Sequence, residues 1–258
     1  MKRRLSYYLR SIFTILQKIV NWYVCFGLLF RQGETVIKLK NGCQFKVRSL
    51  MDVWIIKETC LDRDYETHGT PIQDGWTVVD IGAGLGDFAV SVAYDHPTCQ
   101  VFAYEPFPES FRLLKENLAL NAIQNVQAFP FAVGASSEEM VLFATGAAVQ
   151  HSTTSATPAV DSIVVPGRSL DDILDEHAIG TCDFLKIDCE GAEFDILFNA
   201  SAQALQRIKR ICLEYHDGVT QFSHEHLVEY LQQRGFYVRT ARNPVHAHLG
   251  FLYASQGN

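Results

Sequence analysis

From about residue 76 onward, short runs of apolar and β-branched residues alternate with segments whose apolar residues recur at helical spacing. The runs predict strands and the spaced segments predict helices. Strands are predicted at 76–81, 100–104, 126–133, 183–187, 208–215, 236–240 and 250–253, and helices at 87–94, 109–121 and 224–234. Continuously apolar strands that alternate with helices indicate a parallel sheet covered on both faces. The last two strands are too close in sequence for a parallel crossover, so they should pair antiparallel.

The start of the chain carries a different pattern. A long apolar stretch follows Lys2, Arg3 and Arg4, but polar residues recur at helical spacing on one side of it, at Arg10, Thr14, Gln17, Lys18 and Asn21. This predicts an amphipathic helix, because a membrane span would bury Lys18 near its middle. We therefore divide the chain into a helical segment at 1–34 and one main domain at 35–258. The helix is expected to dock on the domain or a partner. Lying on a membrane surface is an alternative, since its polar face is basic, and a true span comes last.

The segments around these elements carry further signals. Residues 36–39 and 43–47 flank Asn41-Gly42 and predict a hairpin with a type I′ turn. A helix is predicted at 52–60. The long stretch 134–182 holds strand-like runs at 140–144 and 162–165, a Ser/Thr-rich part at 151–157, and Ser169 in position to cap a helix that begins at Leu170. Long loops on such scaffolds commonly carry function.

Composition narrows the class of protein. The chain has 258 residues, 48% of them apolar and 20% charged, which suits one globular α/β domain. Its net charge of −7 makes a polynucleotide an unexpected partner. The seven cysteines are odd in number and contain no CxxC pair, so they predict reduced thiols in a cytoplasmic protein and no zinc or disulfide framework.

The first motif that carries chemistry is Val-Val-Asp-Ile-Gly-Ala-Gly-Leu-Gly-Asp at 78–87, where a strand passes into a helix. Its glycines let the backbone turn sharply and approach a ligand closely. Glu105, at the end of the next strand, can accept hydrogen bonds from both hydroxyls of a ribose. A dinucleotide-binding loop would place a third spaced glycine at 87, which is Asp87 here. The spacing therefore favours an adenosine that carries a methionine tail over a pyrophosphate.

The second motif is Asp-Phe-Leu-Lys-Ile-Asp-Cys-Glu-Gly-Ala-Glu at 183–193. Its strand should end near Asp188, at the carboxyl edge of the sheet, where ligands bind. Helix capping by Asp188 is the structural alternative, but we favour a functional role for Asp188 and Glu190, and structural pairing or solvent exposure for Glu193. Glu214 and His216 end the next strand on one face and at the same edge of the sheet.

Taken together, these motifs resemble the FkbM family of methyltransferases over roughly residues 35–255. The matching stretches are 80–86, 104–106, 169–171, 185–193 and 213–216, of which Lys-Ile-Asp-x-Glu-Gly-Ala-Glu is the most specific. The resemblance implies a Rossmann-like class I methyltransferase fold. Together with the predicted elements, this gives a seven-stranded, mostly parallel sheet with an antiparallel last strand, preceded by the helix and the hairpin. It also implies S-adenosylmethionine as the cofactor. Family members mostly methylate hydroxyls of sugars, glycolipids or other small metabolites, so a small-molecule or glycan acceptor is expected.

The resemblance further implies roles for individual residues. The loop residues Gly82, Ala83 and Gly84 would face the methionine part, and Gly86 would belong to the same cofactor-binding loop. Asp80 would anchor the loop or the amino group. Glu105 would bind the ribose. The adenine would be framed by Pro106, Phe107, Phe131 and Ala132. A hydroxyl acceptor also benefits from a base; the candidates are Asp188, Glu190, Glu214 and His216.

Three alternatives remain open at this point. The carboxylates could hold a divalent metal such as Mg²⁺, although carboxylates near each other more often position one another by hydrogen bonds. A nicotinamide-dependent oxidoreductase could use a similar fold, and Asp87 argues against it. A non-catalytic scaffold could be held at a membrane by residues 1–30, and the retained Asp80, Glu105 and Asp188 argue against that.

Overall fold

The computed structural model describes residues 2–30, 33–144, 151–152, 161–243 and 245–257. The strands are β1 (Thr35–Lys38), β2 (Gln44–Val47), β3 (Thr77–Ile81), β4 (Gln100–Tyr104), β5 (Val126–Phe129), β6 (Ala132–Gly134), β7 (Glu139–Ala144), β8 (His151–Ser152), β9 (Asp161–Ser169), β10 (Phe184–Ile187), β11 (Arg210–His216), β12 (Phe236–Arg242) and β13 (Leu249–Gln256). The α-helices are α1 (Lys2–Lys18), α2 (Cys25–Phe30), α3 (Leu50–Ile56), α4 (Asp64–His68), α5 (Asp87–Asp95), α6 (Pro108–Leu120), α7 (Leu170–Glu176), α8 (Glu193–Asn199), α9 (Ala202–Gln206) and α10 (His224–Gln233). A 3₁₀ turn at Trp22–Val24 and a π-helical turn at Lys57–Asp62 complete the helical elements.

A central sheet of seven strands runs in the order β5-β4-β3-β10-β11-β13-β12. The first five of these strands are mutually parallel, and β13 runs antiparallel to both β11 and β12. This confirms the predicted Rossmann-like sheet. The carboxyl ends of β3, β4, β10 and β11 consequently meet at one edge, which is where ligands bind in open α/β sheets.

The core forms on both faces of the central sheet because its strands are apolar on both sides. On one face Val79 and Leu185 belong to a core that includes apolar residues of α7, α8 and α10, and on the other face Val78 and Phe184 belong to a core that includes those of α5. All seven cysteines are free thiols in the structure.

The strand predicted at 126–133 is wrong as a single element. Pro130 separates β5 from β6, and β5 stays in the central sheet while β6 leaves it to pair with β9. Proline lacks the N–H that a continuous ladder requires, so the chain bends there. Strands β6, β9, β7 and β8 form a second sheet in that order. Residues 145–150 and 153–160, which include most of the Ser/Thr-rich stretch, lie outside the described residues.

The predicted hairpin is present, with β1 antiparallel to β2. Its turn is not type I′, because that type needs a positive φ at both central residues and only Gly42 has one, at 99°. Asn41 instead accepts a 3.1 Å hydrogen bond from the N–H of Cys43 through its side chain. Asn117 of α6 binds the free edge of β2 and accepts a 2.6 Å bond from the N–H of Lys46.

Two helix starts follow from serine caps. Ser169 Oγ accepts the N–H of Asp172 at 3.1 Å, as predicted for α7. Ser49 Oγ accepts the N–H of Asp52 at 3.2 Å, so the helix predicted at 52–60 begins at Leu50 and passes into the π-helical turn.

The N-terminal helix α1 packs against this turn and against α3. Ser11 and Ile19 are buried, the Tyr7 hydroxyl donates to Glu58, and the Tyr8 ring lies 5.7 Å from the ring of Trp54. The expectation that α1 docks on the domain is therefore confirmed for this face of the helix. Among the described residues, no helix combines the length and the apolar character that crossing a membrane requires.

Candidate functional site

A pocket of about 880 Å³ opens at the carboxyl edge of the central sheet. One end lies over the glycine loop after β3, and the other end lies between the ends of β10 and β11. Both predicted motifs therefore contribute to one continuous cavity. Its outer wall includes Tyr7 and Tyr8 of α1 and Trp54 of α3.

Two glycines of the loop have different physical requirements. Gly82 has φ 74°, and a Cβ there would lie 1.8 Å from the carbonyl oxygen of Asp188, so the close approach of β10 excludes a side chain. Gly84 has φ 55°, and its Cβ would meet only Asp87 Oδ1 at 3.7 Å. The chain thus needs Gly82 for packing, while Gly84 leaves its backbone open to the pocket.

The carboxylate of Glu105 ties the loop to the end of β4. Its Oε2 accepts the N–H of Gly84 at 2.7 Å and its Oε1 accepts the N–H of Phe107 at 2.8 Å. Burial raises the pKa of Glu105 to about 7, against the lowering effect of these two N–H groups. A carboxylate oxygen has room for a second donor, so each oxygen can still accept a ligand hydroxyl.

The remaining residues predicted for the cofactor divide into two groups. Those that line the pocket beside Gly82, Gly84 and Glu105 are Pro106, Phe107, Phe131 and Ala132. Those that lie behind the wall are Asp80, Ala83 and Gly86, which are not among the lining residues. A Cβ on Gly86 would lie 2.5 Å from Leu114 Cδ1, so this glycine permits the close packing of α5 on α6.

Lys186 links the two motifs from beneath the pocket. Its Nζ donates to the carbonyl oxygen of Gly82 at 2.7 Å and lies 2.9 Å from Asp80 Oδ1, and both side chains are almost fully buried. Burial lowers the pKa of Lys186, but Asp80, Asp188 and Asp87 outweigh it and raise the pKa. The lysine is therefore a fixed cation that holds β10 against the loop. Lys186 belongs to the second motif, at 183–193, but no role for it could be predicted from the sequence.

At the other end of the pocket, Asp188 is held from outside its own motif. Tyr65 donates a 2.6 Å hydrogen bond to Asp188 Oδ2, and the Tyr65 ring lies 5.3 Å from Lys186 Nζ. One oxygen or nitrogen atom each of Asp188, Glu214 and His216 lies within 4.8 Å of the others. The structure thus brings together three of the four predicted catalytic residues, and Glu190 joins them through His216.

His216 lies between two carboxylates. Its Nδ1 is 3.1 Å from Glu193 Oε1 and its Nε2 is 3.3 Å from Glu190 Oε2. Glu193 is fully buried and also accepts the N–H groups of Cys189 and Gly191, both at 3.2 Å, so its role is structural pairing. Burial lowers the pKa of His216, but Glu193, Glu190 and Asp188 outweigh it and raise the pKa to about 10. At neutral pH the ring is therefore an imidazolium.

Glu190 combines an unusual backbone conformation with a raised pKa. Its backbone is left-handed, with φ 53°, a conformation that non-glycine residues rarely adopt. Burial raises its pKa to about 7, with a lowering contribution from His216 and raising ones from Asp188 and Glu193. Burial and the nearby Asp188 also raise the pKa of Glu214 well above its ordinary value. The cluster thus holds two carboxyl groups whose pKa values are raised above their ordinary values, that of Glu190 to about 7.

Asp188, Glu214 and His216 are also the set that a divalent metal would use, and their surroundings do not fit that role. A histidine ligand needs a neutral ring with a free nitrogen lone pair, whereas both nitrogens of His216 face carboxylates at hydrogen-bond distance. Magnesium prefers a shell of oxygens. The three side chains as arranged therefore do not form a site for a divalent metal.

Some residues of the site have no signal in the motifs. Tyr65 belongs to α4, and Tyr7, Tyr8 and Trp54 belong to elements that precede the repeating strand–helix pattern. Their part in the site becomes visible only in the structure, where Tyr7, Tyr8 and Trp54 line the pocket and Tyr65 contacts Asp188. An aromatic residue on a short helix far from any motif is indistinguishable in sequence from a core residue.

Comparison with known proteins gives the family. Residues 80–238 match the Methyltransferase FkbM domain. The 31-O-demethyl-FK506 methyltransferase FkbM of Streptomyces tacrolimicus is 23% identical over 241 residues, which cover 82% of this chain and 92% of that protein. The hexuronic acid methyltransferase AglP of Haloferax volcanii is 24% identical over 179 residues, which cover 69% of this chain and 72% of that protein.

Two further similarities concern length and fold. The AMB antimetabolite synthetase AmbE of Pseudomonas aeruginosa is 25% identical over 224 residues, but the match covers 10% of that protein. A solved structure of a candidate rRNA methylase from Clostridium thermocellum superposes with a TM-score of 0.51 at 13% identity, over 77% of this chain and 97% of that one. At this identity the superposition supports the fold alone.

Proposed function

The chain belongs to the FkbM family of S-adenosylmethionine-dependent methyltransferases, and from this premise we propose that it methylates a hydroxyl group on a small-molecule or glycan acceptor. Family membership removes the nicotinamide alternative. The observation that carries the proposal is the cluster of three carboxyl groups, Asp188, Glu190 and Glu214, beside the glycine loop in the same pocket. A hydroxyl must lose its proton when it is methylated, so a base at this position has a defined use.

The cofactor end of the pocket fits S-adenosylmethionine by its chemistry. Glu105 offers one free acceptor site on each carboxylate oxygen, which suits the two hydroxyls of a ribose. Apolar Pro106, Phe107 and Phe131 line the wall beside it and suit the faces of an adenine. The open backbone at Gly84 leaves room for the methionine part. The cofactor supplies a methyl group on a positively charged sulfur, which is a good leaving group.

The chain then has to align the acceptor oxygen with that methyl group, exclude water and take up a proton. We assign the base role to Glu190, whose pKa of about 7 matches a group that must be ionised near neutral pH. His216 is a positioning residue, because its imidazolium faces Glu190 on one side and the buried Glu193 on the other. Asp188, held by Tyr65, faces the same space and is available to orient the acceptor hydroxyl.

One relative supports methylation of an oxygen and another supports a sugar-like acceptor. The first is named a 31-O-demethyl-FK506 methyltransferase and the second a hexuronic acid methyltransferase. An acceptor that carries several hydroxyls would suit the three carboxyl groups, since each can accept a hydrogen bond from one of them.

The experiment has two stages. Isothermal titration of the purified chain with S-adenosylmethionine, S-adenosylhomocysteine and NADH tests the cofactor, and binding of both adenosyl ligands without NADH is expected. Transfer of a radiolabelled methyl group is then measured to a panel of uronic acids, neutral glycosides and macrolide alcohols, each paired with its amino analogue. Transfer to the hydroxyl compounds supports the proposal. Transfer to the amines alone, or cofactor binding without turnover on any of them, contradicts it.

A further inference from the structure

The N-terminal helix leaves an apolar face uncovered. The described side chains of α1 divide into a docked face with Tyr7 and Ser11, a polar face with Arg10 and Gln17, and an apolar face that points away from the domain. The exposed fractions on that apolar face are 59% for Leu9, 52% for Ile12, 59% for Phe13 and 44% for Leu16. The amphipathic pattern read from the sequence is therefore real, but most of the apolar face does not contact the domain.

The same exposure continues beyond α1. After the helix ends, Val20 and Tyr23 are 54% and 63% exposed, and Phe26 and Leu29 of α2 are both 57% exposed. An apolar surface of this extent on a folded chain marks a contact with another apolar phase or partner. We call the exposed apolar residues of α1, α2 and the turn between them the N-terminal apolar surface.

The charge around this surface indicates what contacts it. Residues 1–33 contain six of the 22 Lys and Arg residues and none of the 29 Asp and Glu residues of the chain. The rest of the protein carries 16 Lys and Arg residues against 29 Asp and Glu residues, so a net positive charge is found only in the segment that exposes apolar side chains. Apolar side chains beside basic ones, with exposed Trp22 and Tyr23, are the composition of a helix that lies in the headgroup region of an anionic bilayer.

A second copy of the chain is a poorer occupant on the same observation. In a two-fold dimer the surface would face its own copy, and the basic segments would be brought together. Without acidic residues in this segment, they could not neutralise each other.

The pocket opens at the margin of this surface. Tyr8, Leu50 and Met51 line the pocket and are 42%, 40% and 56% exposed. We propose that the N-terminal apolar surface docks on an anionic lipid bilayer and that the pocket mouth then faces the lipid headgroups. A consequence is that the acceptor hydroxyl belongs to a molecule carried at the bilayer surface. This consequence rests on the proposed function, whereas the docking itself does not.

The test is flotation of the full chain with vesicles of phosphatidylcholine alone and of phosphatidylcholine with about one third phosphatidylglycerol. Strong binding is expected to the anionic vesicles, weaker binding to the neutral ones, and release of the protein from the anionic vesicles as salt rises. The variant Phe13→Glu/Leu16→Glu is expected to lower the bound fraction about tenfold or more. The matched control is Tyr237→Glu, because Tyr237 is 73% exposed on β12 and should not contact lipid.

A second variant avoids the apolar residues altogether. Arg10→Glu/Lys18→Glu is expected to lower binding to the anionic vesicles about tenfold while binding to neutral vesicles changes little. Titration of every variant with S-adenosylhomocysteine verifies the fold and keeps the docking inference separate from the proposed function. Wild-type protein that fails to float with either vesicle overturns the inference. So does equal loss of binding in Tyr237→Glu, or a dimer in light scattering that Phe13→Glu/Leu16→Glu converts to a monomer.

Discussion

Tyr65 and Asp188 are 123 positions apart in the chain, and the tyrosine hydroxyl donates a 2.6 Å hydrogen bond to the aspartate carboxylate. Asp188 follows β10 inside the most specific of the matching motifs. Tyr65 lies on the short helix α4, which precedes β3, the first strand of the central sheet in the chain. The bond therefore connects the segment before the sheet to the centre of the pocket. The bond holds one oxygen of Asp188 in place, so a residue outside the motif orients this carboxylate.

Substitution of Tyr65 by Phe tests that role. A hydrogen bond to a charged group contributes about 1.5–3 kcal/mol, so kcat is expected to fall about 10- to 100-fold while the Kd for S-adenosylhomocysteine stays unchanged. Tyr94→Phe is the matched control, since the hydroxyl of Tyr94 donates to the carbonyl oxygen of Asn41, at 3.3 Å, and Tyr94 is not among the residues that line the pocket. An equal fall of kcat in both variants, or weaker cofactor binding in Tyr65→Phe, would argue for a purely structural role.

Substitution of Glu105 tests the ribose site. Glu105→Gln keeps the size of the side chain but removes the charge and one acceptor, so the Kd for S-adenosylhomocysteine is expected to rise about 10- to 100-fold. Glu105→Ala should raise it further, because the N–H groups of Gly84 and Phe107 then lose their acceptor. Calorimetric titration gives both values. Glu109→Gln, in the first turn of α6 and 51% exposed, should bind as the wild type does.

The pH dependence of kcat/KM follows from Glu190 and His216. Glu190 acts as a base only when ionised, so the rate should rise with pH up to about 7, the pKa to which burial raises this group. His216 holds Glu190 only while it is protonated, so the rate should fall as pH passes about 10. Glu190→Gln should remove the acidic limb and most of the activity, while His216→Gln should shift the acidic limb upward because Glu190 loses a neighbouring cation. A profile with an unchanged acidic limb in both variants contradicts these assignments.

Metal removal should leave the reaction unchanged. Both nitrogens of His216 lie at hydrogen-bond distance from carboxylates, and Tyr65 occupies one oxygen of Asp188. Dialysis against a chelator is expected to alter kcat by less than about twofold, and calorimetric titration with MgCl₂ should give no binding heat. Activity that is lost on chelation and restored by Mg²⁺ alone would show that these side chains rearrange to bind a metal.

The two loop glycines should differ sharply when replaced by Ala. At Gly82 a Cβ would lie 1.8 Å from a backbone oxygen that cannot move without displacing β10. The free energy of unfolding is expected to fall by about 3 kcal/mol or more. At Gly84 the Cβ has space, and only the left-handed φ of 55° opposes it. A loss of about 1 kcal/mol is expected there. Urea unfolding of the two variants compares them directly, and similar losses would contradict the packing argument.

The sequence predicted the central sheet well because its strands are buried on both faces, and each one therefore appears as a short continuous apolar run. It also predicted that Asp188 and Glu214 meet, since parallel strands bring their carboxyl ends to one edge. The split at Pro130 was missed because the segments on both sides of it are apolar. The second segment, β6, pairs with β9, and the sequence pattern did not predict this pairing.

Other features depended on contacts that no local pattern contains. Gly86 looks like part of a ligand-binding loop, yet its neighbour in space is Leu114 of α6. The charge of His216 follows from its position between Glu190 and Glu193, whereas the sequence indicated only that His216 was one of four candidate bases. The amphipathic pattern of α1 correctly indicated a helix, but it could not tell which face docks, because a bilayer and a protein core select the same apolar residues.

The order of the central sheet has a consequence for how the chain is made. β3 lies in the middle of the sheet, with β4 close behind it in sequence, but its other neighbour is β10, and the bond from Lys186 to Gly82 spans 104 positions. During synthesis β3, β4 and β5 leave the ribosome before β10. The edge of β3 that will pair with β10 stays uncovered until the residues between β5 and β10 have been made. Long-range pairing of this kind is slow and exposes an edge to other chains. We expect newly made protein to depend on a chaperone until β10 is added.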